Sequence, residues 1–369
     1  MYPVRVRVAL VHDWLTGVGG SERALLELHR LFPQAPIFTA AFDPAATLPE
    51  FAQADIRTSM LQRAMIGRQS YAGLIPLMPL AFSRFDTRPF DLLLISSHTA
   101  AKGIRRHQGQ TVICYCYTPM RWAWDLYDFY LAHRAHALPS RLAARITLRR
   151  FAHWDRKSAA KVDQFIAISE NVRRRIQRYY GRDAKVVWPP VDCVRFTPAT
   201  QHGDHFLVVS RLEDYKRVDI VVDAFTRLGW PLQVVGDGPQ RPALQDRAGP
   251  SVTFLGRLDD ATLAATYAGA RALVFPADED AGIVPLEAMA AGRPVLALKA
   301  GGAVEVVRDG LSGAFFPEQT VDSLVAALQQ FQPESYDPLA IRVAAEPYDR
   351  PRFRETIGRI VDEVIATRR

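Results

Sequence analysis

The stretch that decides the fold runs from Arg271 to Gly302 and reads RALVFPADEDAGIVPLEAMAAGRPVLALKAGG. It opens with an apolar run, Ala272 to Phe275, that is closed by a proline and predicts a buried parallel strand. A polar, acidic loop follows, and then strong helix formers from Pro285 to Ala291, with the proline near the helix start where it is tolerated. A second apolar run, Val295 to Leu298, follows the helix. The pattern therefore predicts a strand–loop–helix–strand unit.

Two acids in this unit have a spacing that suggests a ligand site. Glu279 lies in the loop and Glu287 about one turn inside the helix, so both can face the space above the helix N-terminus. The free backbone N–H groups of Gly282, Ile283 and Val284 suit a phosphate or diphosphate there. Amides that bind phosphate and carboxylates that bind hydroxyls describe a nucleotide-sugar pocket. Taken alone, however, two glutamates at a fixed spacing are more often ordinary solvated residues.

Length and composition favour a soluble enzyme with two domains. The chain has 369 residues, more than a single hydrophobic core usually supports, and 23% of them are charged. Its three cysteines, Cys114, Cys116 and Cys193, have neither metal-ligand nor disulfide spacing, so we expect them to pack in a reducing cytoplasm. We expect the N-terminus to be the first strand rather than a signal peptide, and no apolar run is long enough for a membrane span.

The net charge of +7 is concentrated in one segment. Between Arg134 and Lys185 there are fourteen Lys and Arg residues against four Asp and Glu residues. A basic patch implies an anionic partner, either nucleic acid or an anionic membrane surface. The helix predicted from Leu142 to Ala160 carries much of this charge, and its basic residues either form a solvated face or contact anionic lipid.

The first half contains two places where a doubly wound fold binds ligands. After a first strand, Val4 to Val11, the glycines Gly17, Gly19 and Gly20 form a loop and Ser21 is the predicted N-cap of a helix. His98 follows the predicted strand Asp91 to Ser96, and an aromatic and basic cluster follows the strand Thr111 to Tyr117. That cluster, which suits a sugar or lipid-phosphate acceptor, comprises Arg121, Trp122, Trp124 and Tyr127.

Prolines and polar residues separate the two halves. Pro189-Pro190 and Thr197-Pro198 interrupt the alternation of strands and helices, which then restarts at Phe206. We predict two parallel-sheet domains, 1–195 and 196–348, facing a central cleft, with a helix from 349 to 369 packing back on the first domain.

Several segments, taken in order, resemble the retaining glycosyltransferase family 4, which has the GT-B fold. They are HDWLTGVGGSE, SSHTAAKG, CYTPMRWAWDLY, FIAISENV, WPPVD, VVSRLEDYKRVD, VVGDGP, FLGRL and the segment from Glu279 to Glu287. The chain looks most like the mannosyltransferase members that build bacterial surface polysaccharides. It departs from them where Tyr117 replaces a histidine and where Asp280 and Ala281 replace the more usual aromatic before Gly282.

The resemblance implies a role for each matching residue. Arg211 and Lys216 would bind the donor diphosphate, Glu287 the ribose, Glu279 the donor sugar, and His98 the transferred sugar near its anomeric carbon. Gly19 and Gly20 would approach the phosphates. The base would stack near Gly256, Arg257 and Leu258, and the acceptor would contact Tyr117, Arg121 and Trp122. Catalysis would then fall to His98, Arg211, Lys216 and Glu279, without a protein nucleophile.

The resemblance implies no cofactor and no metal, because cationic side chains can stabilise the leaving diphosphate. The acidic run Asp278 to Asp280 also reads as a metal motif of another glycosyltransferase fold, but two alternating halves argue against that fold.

The favoured function is transfer of mannose from GDP-mannose to a polyprenyl-diphosphate-linked or oligosaccharide acceptor at the inner face of the membrane. The alternatives are a UDP-sugar donor, a nucleotide-sugar epimerase and, without any recognition motif, a nucleic-acid-binding protein. An NAD dehydrogenase lacks its glycine fingerprint.

Overall fold

The computed structural model describes residues 6–67, 71, 73–125, 127, 138–199 and 201–368. The described chain divides into two compact units. The first unit comprises Met1–Trp188 and Phe353–Arg369, and the second comprises Pro189–Arg352. Residues 189–195, which the sequence assigned to the first domain, fall in the second unit. There Val191 N donates to Tyr348 O at 2.9 Å, and Arg350 pairs with Asp192 at 2.8 Å.

The first unit is built on a seven-stranded sheet in the order β3-β2-β1-β4-β5-β6-β7, with every neighbouring pair parallel. Its strands are β1 Val8–His12, β2 Ile37–Thr39, β3 Ile56–Thr58, β4 Leu92–Ser97, β5 Thr111–Cys116, β6 Gln164–Ala167 and β7 Ala184–Val186. Its helices are α1 Gly20–Leu31, α2 Gln62–Met65, α3 Met78–Ser83, α4 Leu138–Ala159 and α5 Glu170–Tyr180. Every residue of β4 and β5 is buried, as a parallel sheet covered on both faces requires.

The second unit is built on a six-stranded parallel sheet in the order β10-β9-β8-β11-β12-β13. Its strands are β8 Phe206–Val209, β9 Leu232–Val235, β10 Val252–Gly256, β11 Ala272–Phe275, β12 Val295–Leu298 and β13 Gly313–Phe316. Its helices are α6 Val218–Leu228, α7 Arg241–Arg247, α8 Asp260–Gly269, α9 Ile283–Ala290, α10 Ala303–Val306, α11 Val321–Gln330 and α12 Pro338–Ala345. The core of this unit joins strand residues such as Val208 and Val274 to helix residues such as Phe225.

The last helix, α13 Arg350–Thr367, lies mostly in the first unit. Its Phe353 ring packs edge-on against Tyr115, with 5.4 Å between the ring centroids. The buried Glu27 of α1 accepts from Arg354, and Glu363 pairs with Lys185 of β7. An apolar contact and two ion pairs therefore hold α13 against the sheet and the helix α1 of the first unit.

The two predicted parallel-sheet domains are confirmed. Both strands of the deciding stretch have the predicted bounds, while the helix between them starts at Ile283, two residues before Pro285. The prediction of Ser21 as an N-cap is wrong. Gly19 is the N-cap, and the Ser21 hydroxyl donates instead to Glu22 Oε2 at 2.9 Å. Cys114, Cys116 and Cys193 are buried and unbridged, as predicted.

Candidate functional site

The two cations predicted to bind a diphosphate follow β8 in the second unit. Arg211 is exposed, and its guanidinium donates to the Tyr215 hydroxyl at 2.7 Å. Lys216 ends a short 3₁₀ turn and is largely buried. Its ammonium nitrogen lies 2.5 Å from Glu279 Oε1 and 5.1 Å from the centre of the Tyr215 ring. The structure therefore brings Lys216 and Glu279, which are far apart in sequence, into direct contact.

Glycines following β12 hold the acidic loop in place. Gly302 N donates to Glu279 O at 2.7 Å, and Gly301 has a positive φ of +58°. A Cβ atom on Gly301 would lie 2.4 Å from Glu279 O, and one on Gly302 would lie 2.6 Å from the α-carbon of Ala281. Only glycine permits this approach of two backbones, so the pair Gly301-Gly302 fixes where Glu279 lies.

The N-terminus of α9 follows this loop. Gly282 is the N-cap, and a Cβ there would lie 2.7 Å from a methyl carbon of Val306. The first N–H groups of a helix have no acceptor within the helix, so Gly282, Ile283 and Val284 offer donors beyond the end of β11. The predicted anion-binding backbone is thus three residues from Glu279 in the chain and directly precedes the turn that carries Glu287.

Glu287 is held on both carboxylate oxygens. The buried Tyr267 hydroxyl of α8 donates to Oε2 at 3.0 Å, and Arg195 Nη2 donates to Oε1 at 3.2 Å. Arg195 also lies 2.9 Å from Asp260 and stacks over the Phe196 ring. Burial and the neighbouring Glu287 carboxylate raise the pKa of Tyr267 well above its ordinary value, so this hydroxyl keeps its proton. Sequence reasoning missed both Arg195 and Tyr267 as supports of Glu287.

The predicted base-stacking loop begins where β10 ends. Gly256 has a φ of +71°, and its carbonyl accepts from Gly236 N at 2.7 Å, so it lies at the same edge of the sheet as the end of β9. Arg257 is exposed and Leu258 is half-buried. Their role toward a base stays a prediction.

In the first unit, Asp13 is fully buried just after β1 and binds the segment that follows β4. Its carboxylate accepts four consecutive backbone N–H groups, from His98 to Ala101, at 2.7 to 2.9 Å. His98 Nδ1 lies 3.2 Å from Asp13 Oδ2. Burial acts to raise the pKa of Asp13, but His98, His12, Lys102 and the backbone donors together hold it below its ordinary value.

The predicted glycine loop lies beside a second buried polar group. Glu22, which follows Gly19 and Gly20 in the first turn of α1, is buried, and its Oε1 lies 3.7 Å from His12 Nε2. His12 Nδ1 lies 3.0 Å from the Ser96 hydroxyl oxygen. Burial acts to raise the pKa of Glu22, but its contacts with His12 and Ser21 keep it below its ordinary value. The contact of Gly19 and Gly20 with phosphate stays a prediction.

The residues predicted to bind the acceptor differ in accessibility. Tyr117 is buried, and its hydroxyl lies 2.9 Å from both Ser96 Oγ and the Ser21 carbonyl oxygen. Arg121 and Trp122 are half-buried in a 3₁₀ turn, and the Trp122 ring packs edge-on against Phe151. Their role in acceptor binding stays a prediction. Within the same cluster, Trp124 Nε1 donates to Asp155 at 3.0 Å.

A buried ion pair lies close to this segment. The Lys102 ammonium, fully buried, lies 3.3 Å from Asp155 of α4 and donates to Thr99 O at 3.2 Å. Tyr180 also donates to Asp155, at 2.6 Å. Burial lowers the pKa of Lys102, but the Asp155 charge outweighs it and raises that pKa above its ordinary value.

Within the described ranges, no three or more His, Cys, Asp or Glu side chains are grouped so that they could hold a metal ion. Nor does any helix described by the structure combine the length and the apolarity needed to span a bilayer.

Two family models match the chain. Residues 18–195 match "Glycosyltransferase Family 4", and residues 203–332 match "Glycosyl transferases group 1". Neither model alone covers half of the chain, but the two ranges are close together in the chain; the first lies almost entirely in the first unit and the second lies in the second unit. Together with the fold, they support a glycosyltransferase of the family 4 type.

Curated relatives match part of the chain. A D-inositol 3-phosphate glycosyltransferase of Geodermatophilus obscurus is 28% identical over 247 residues, which are 56% of this chain and 55% of that protein. The D-rhamnosyltransferase WbpZ of Pseudomonas aeruginosa is 30% identical over 176 residues, 42% of this chain and 44% of that protein. The chain thus spans about half the length of the curated relatives it matches.

Solved structures share the fold over nearly the whole chain. The sucrose-phosphate synthase of Thermosynechococcus elongatus superposes with a TM-score of 0.76 at 18% identity, covering 98% of this chain and 100% of that one. HepE of Anabaena in complex with UDP-glucose superposes with a TM-score of 0.71 at 19% identity, covering 96% and 99%. The predicted GT-B fold is confirmed.

Proposed function

We propose that this family 4-type glycosyltransferase is a retaining, metal-independent hexosyltransferase that transfers mannose from GDP-mannose to a polyprenyl-diphosphate-linked or oligosaccharide acceptor. The observation that carries the proposal is the contact of Lys216 with Glu279, three residues before the N-cap of α9. It joins a cation suited to a diphosphate, a carboxylate suited to sugar hydroxyls and a helix N-terminus suited to phosphate.

The proposed chemistry needs no protein nucleophile. The bond between the anomeric carbon and the diphosphate oxygen breaks, and its electron pair leaves with the nucleoside diphosphate. The acceptor hydroxyl oxygen bonds to the same face of the anomeric carbon, and its proton passes to the departing phosphate oxygen. Arg211 and Lys216 stabilise the negative charge that develops on the leaving group, which is the largest electrostatic demand of the step.

Glu287 is proposed to accept hydrogen bonds from the ribose hydroxyls. A carboxylate oxygen can accept more than one hydrogen bond, so the bonds from Tyr267 and Arg195 orient Glu287 without exhausting it. Two bound oxygens also restrict the side chain to one rotamer before the donor arrives. Such preorganisation lowers the entropic cost of binding.

The proposed place of action is the inner face of a bacterial membrane, where a polyprenyl-linked acceptor for surface polysaccharide would be found. The support is the outer face of α4, on which Arg145, Arg149, Arg150 and Lys157 are exposed, and no ion pair joins these four side chains to other described residues. On the same helix Leu142 is 62% exposed and Ile146 is 46% exposed. Cationic and apolar side chains exposed on one helix suit an anionic lipid surface.

A second candidate keeps the fold and the chemistry but takes a UDP-sugar. It is favoured by the structural likeness to HepE, which has been crystallised in complex with UDP and with UDP-glucose. A nucleotide-sugar epimerase is a more distant alternative, because it requires acid and base groups in addition to those of the donor site.

Transfer from GDP-mannose to a short polyprenyl diphosphate-linked saccharide, measured by mass spectrometry with EDTA present, tests the proposal. We expect a product one hexose heavier, and NMR of its anomeric proton should show the configuration of the donor. The Lys216→Ala variant should be inactive, whereas Arg227→Ala, which breaks an exposed ion pair with Asp322 in the same unit, should keep full activity.

Three outcomes would contradict parts of the proposal. Transfer only from UDP-sugars would move the donor to the second candidate, and inversion at the anomeric carbon would refute the retaining mechanism. Conversion of the nucleotide sugar to its epimer without an acceptor would indicate the epimerase.

A further inference from the structure

Asp13 and the segment after β4 meet because their strands are neighbours. β1 and β4 are parallel, with His12 opposite Ser96, so both chains leave the sheet at the same edge. The carboxylate of Asp13 then reaches Ser97, His98, Thr99, Ala100 and Ala101, which are far away in sequence. The side chain is fully buried, so water does not compete for these bonds.

The arrangement resembles a backbone anion-binding site in which the Asp13 carboxylate takes the place of a bound anion. Consecutive backbone N–H groups that converge on one point normally bind a phosphate or another anion. Here Oδ1 accepts from Ala100 and Ala101 at 2.7 Å each, and Oδ2 accepts from His98 at 2.7 Å and Thr99 at 2.9 Å. Because all four donors point at one carboxylate, the backbone that carries His98 has little freedom to move.

The same carboxylate faces one ring nitrogen of His98. Asp13 Oδ2 lies 3.2 Å from His98 Nδ1. An ionised carboxylate oxygen only accepts hydrogen bonds and would repel a nitrogen lone pair at that distance, so the contact favours a proton on Nδ1. In the neutral ring Nε2 is then a bare acceptor. The His98 side chain is 30% exposed, its ring meets Trp14 edge-on, and Nε2 has no hydrogen bond to another described residue.

Other ionisable groups facing His98 are His12, Glu22 and Lys102. Lys102 follows in the same segment and is paired with Asp155, so the far end of the segment is also anchored. Burial is the main cause that lowers the pKa of His98, and the Asp13 charge partly opposes it. His98 is therefore neutral at pH 7.

We propose that Asp13 is a positioning residue for sugar transfer: it fixes the segment from Ser97 to Ala101 and holds His98 as the Nδ1–H tautomer, so that Nε2 accepts a hydrogen bond from a sugar hydroxyl. This inference rests on the proposed glycosyltransferase function. Asp13 is fully buried and contacts His98, so in this proposal its effect on the reaction passes through the imidazole.

The first test uses the unaltered protein. Histidine ring ¹⁵N shifts distinguish the two neutral tautomers, and the signal lost in His98→Gln identifies His98. At a pH of about 8, where His98 is neutral, we expect Nδ1 to carry the proton. A dominant Nε2–H tautomer of His98 would overturn the proposal, whether or not a variant at Asp13 folds.

The second test replaces Asp13 with asparagine. An amide has one acceptor oxygen and one NH₂ group, so half of the backbone donors would face another donor. In Asp13→Asn we expect loss of the tautomer preference, a pKa of His98 still lower than in the wild type, and kcat about 100-fold lower. The dissociation constant for a nucleoside diphosphate should change less than about twofold, because the side chains proposed to bind it, Arg211, Lys216 and Glu287, lie in the second unit.

Asp155→Asn is the matched control, because it also removes a buried carboxylate but has no contact with His98. We expect it to lower stability and to keep the Nδ1–H tautomer. Unchanged tautomer and kcat in a folded Asp13→Asn variant would overturn the role of Asp13. An Nδ1–H tautomer in a protein that transfers no sugar from any nucleotide would count against the proposed function alone, while an Nε2–H tautomer in an active enzyme would count against Asp13 alone.

Discussion

The Lys216 ammonium lies 2.5 Å from Glu279 Oε1. The residue proposed to bind the diphosphate is therefore already paired with the residue proposed to bind the sugar before a donor binds. An incoming diphosphate has to compete with Glu279 for the same cation. Removing the Lys216 charge should weaken diphosphate binding, whereas removing the Glu279 charge should strengthen it. The two substitutions therefore distinguish the roles of the two residues.

Lys216→Ala should weaken the binding of a nucleoside diphosphate about 10- to 100-fold, the usual range for losing one charged hydrogen bond. Glu279→Gln removes the competing carboxylate, so the same ligand should bind up to about fivefold more tightly, a gain of about 1 kcal/mol or less. Sugar transfer should fall in both variants. Calorimetric titration measures the two affinities.

Arg227→Ala serves as the control for a lost cation in the second unit, and its affinity should equal that of the wild type. Weaker diphosphate binding in Glu279→Gln would show that Glu279 does not compete with the ligand for Lys216.

Tyr267→Phe tests whether Glu287 needs its buried support. The substitution keeps the ring that packs edge-on against Phe196 and removes only the hydroxyl that donates to Glu287. We expect the free energy of unfolding to fall by about 1 to 2 kcal/mol and nucleotide binding to weaken several-fold. Urea unfolding and titration with the nucleotide measure the two effects.

Tyr336→Phe is a matched control, because its ring contacts Phe331 away from Glu287. Equal nucleotide affinity in Tyr267→Phe and the wild type would remove Tyr267 from the donor site, whatever the change in stability.

Stability should decrease as the pH falls, in two ranges. The pKa of His98 in the folded protein lies below the ordinary value of 6.5, so its neutral form stabilises the fold above that pH and the contribution is lost as the pH falls toward the lowered pKa. The pKa values of Asp13 and Glu22 also lie below their ordinary values of 3.8 and 4.5. Their contribution is full above those ordinary values and is lost as the pH falls from them through the lowered pKa values of the folded protein.

Urea midpoints measured from pH 8 to pH 3.5 test this dependence. His98→Gln should reduce the decrease just below pH 6.5 without abolishing it, because burial also lowers the pKa values of His29 and His205, and it should leave the steeper decrease below about pH 4.5. A wild-type protein whose midpoint stays constant from pH 7 to pH 4 would contradict the assignment of these pKa directions.

Replacing Arg145, Arg149, Arg150 and Lys157 with glutamine should weaken binding to vesicles that contain anionic lipid. Each basic side chain near such a surface contributes about 1 kcal/mol, so partitioning measured by sedimentation should fall at least about tenfold. A variant in which Arg227, Arg247, Arg271 and Arg308 are replaced with glutamine has the same net charge and serves as the control. Equal partitioning of both variants and the wild type would remove the membrane interpretation of α4.

The deciding stretch was predictable because its local signals agree. Apolar runs bounded by proline and glycine gave β11 and β12 their observed ends, and helix formers marked α9. The helix starts two residues early because Pro285 fits within a first turn, where its missing N–H costs nothing. The helix α10 has only four residues, too few for a periodic signal, and the sequence did not predict it.

The supports of the site were not predictable from one sequence. Asp13 meets His98 only because β1 and β4 are neighbours in the sheet, and nothing in the local sequence of either segment indicates that pairing. Likewise, Arg195 and Tyr267 reach Glu287 from separate elements. Tyr117 looked open to a ligand at its strand end, but periodicity does not reveal that its hydroxyl is bonded to Ser96 and Ser21.

The most direct test of the central claim is the binding of nucleotides to the full chain in the presence of EDTA. Thermal unfolding is measured with GDP, UDP, ADP and their sugars, for the wild type and for Glu287→Ala. We predict that GDP and GDP-mannose raise the unfolding temperature of the wild type and have little effect on Glu287→Ala. A shift with UDP compounds alone would keep the site and change the donor. No shift with any nucleotide, or an equal shift in both proteins, would contradict a donor site built around Lys216, Glu279 and Glu287.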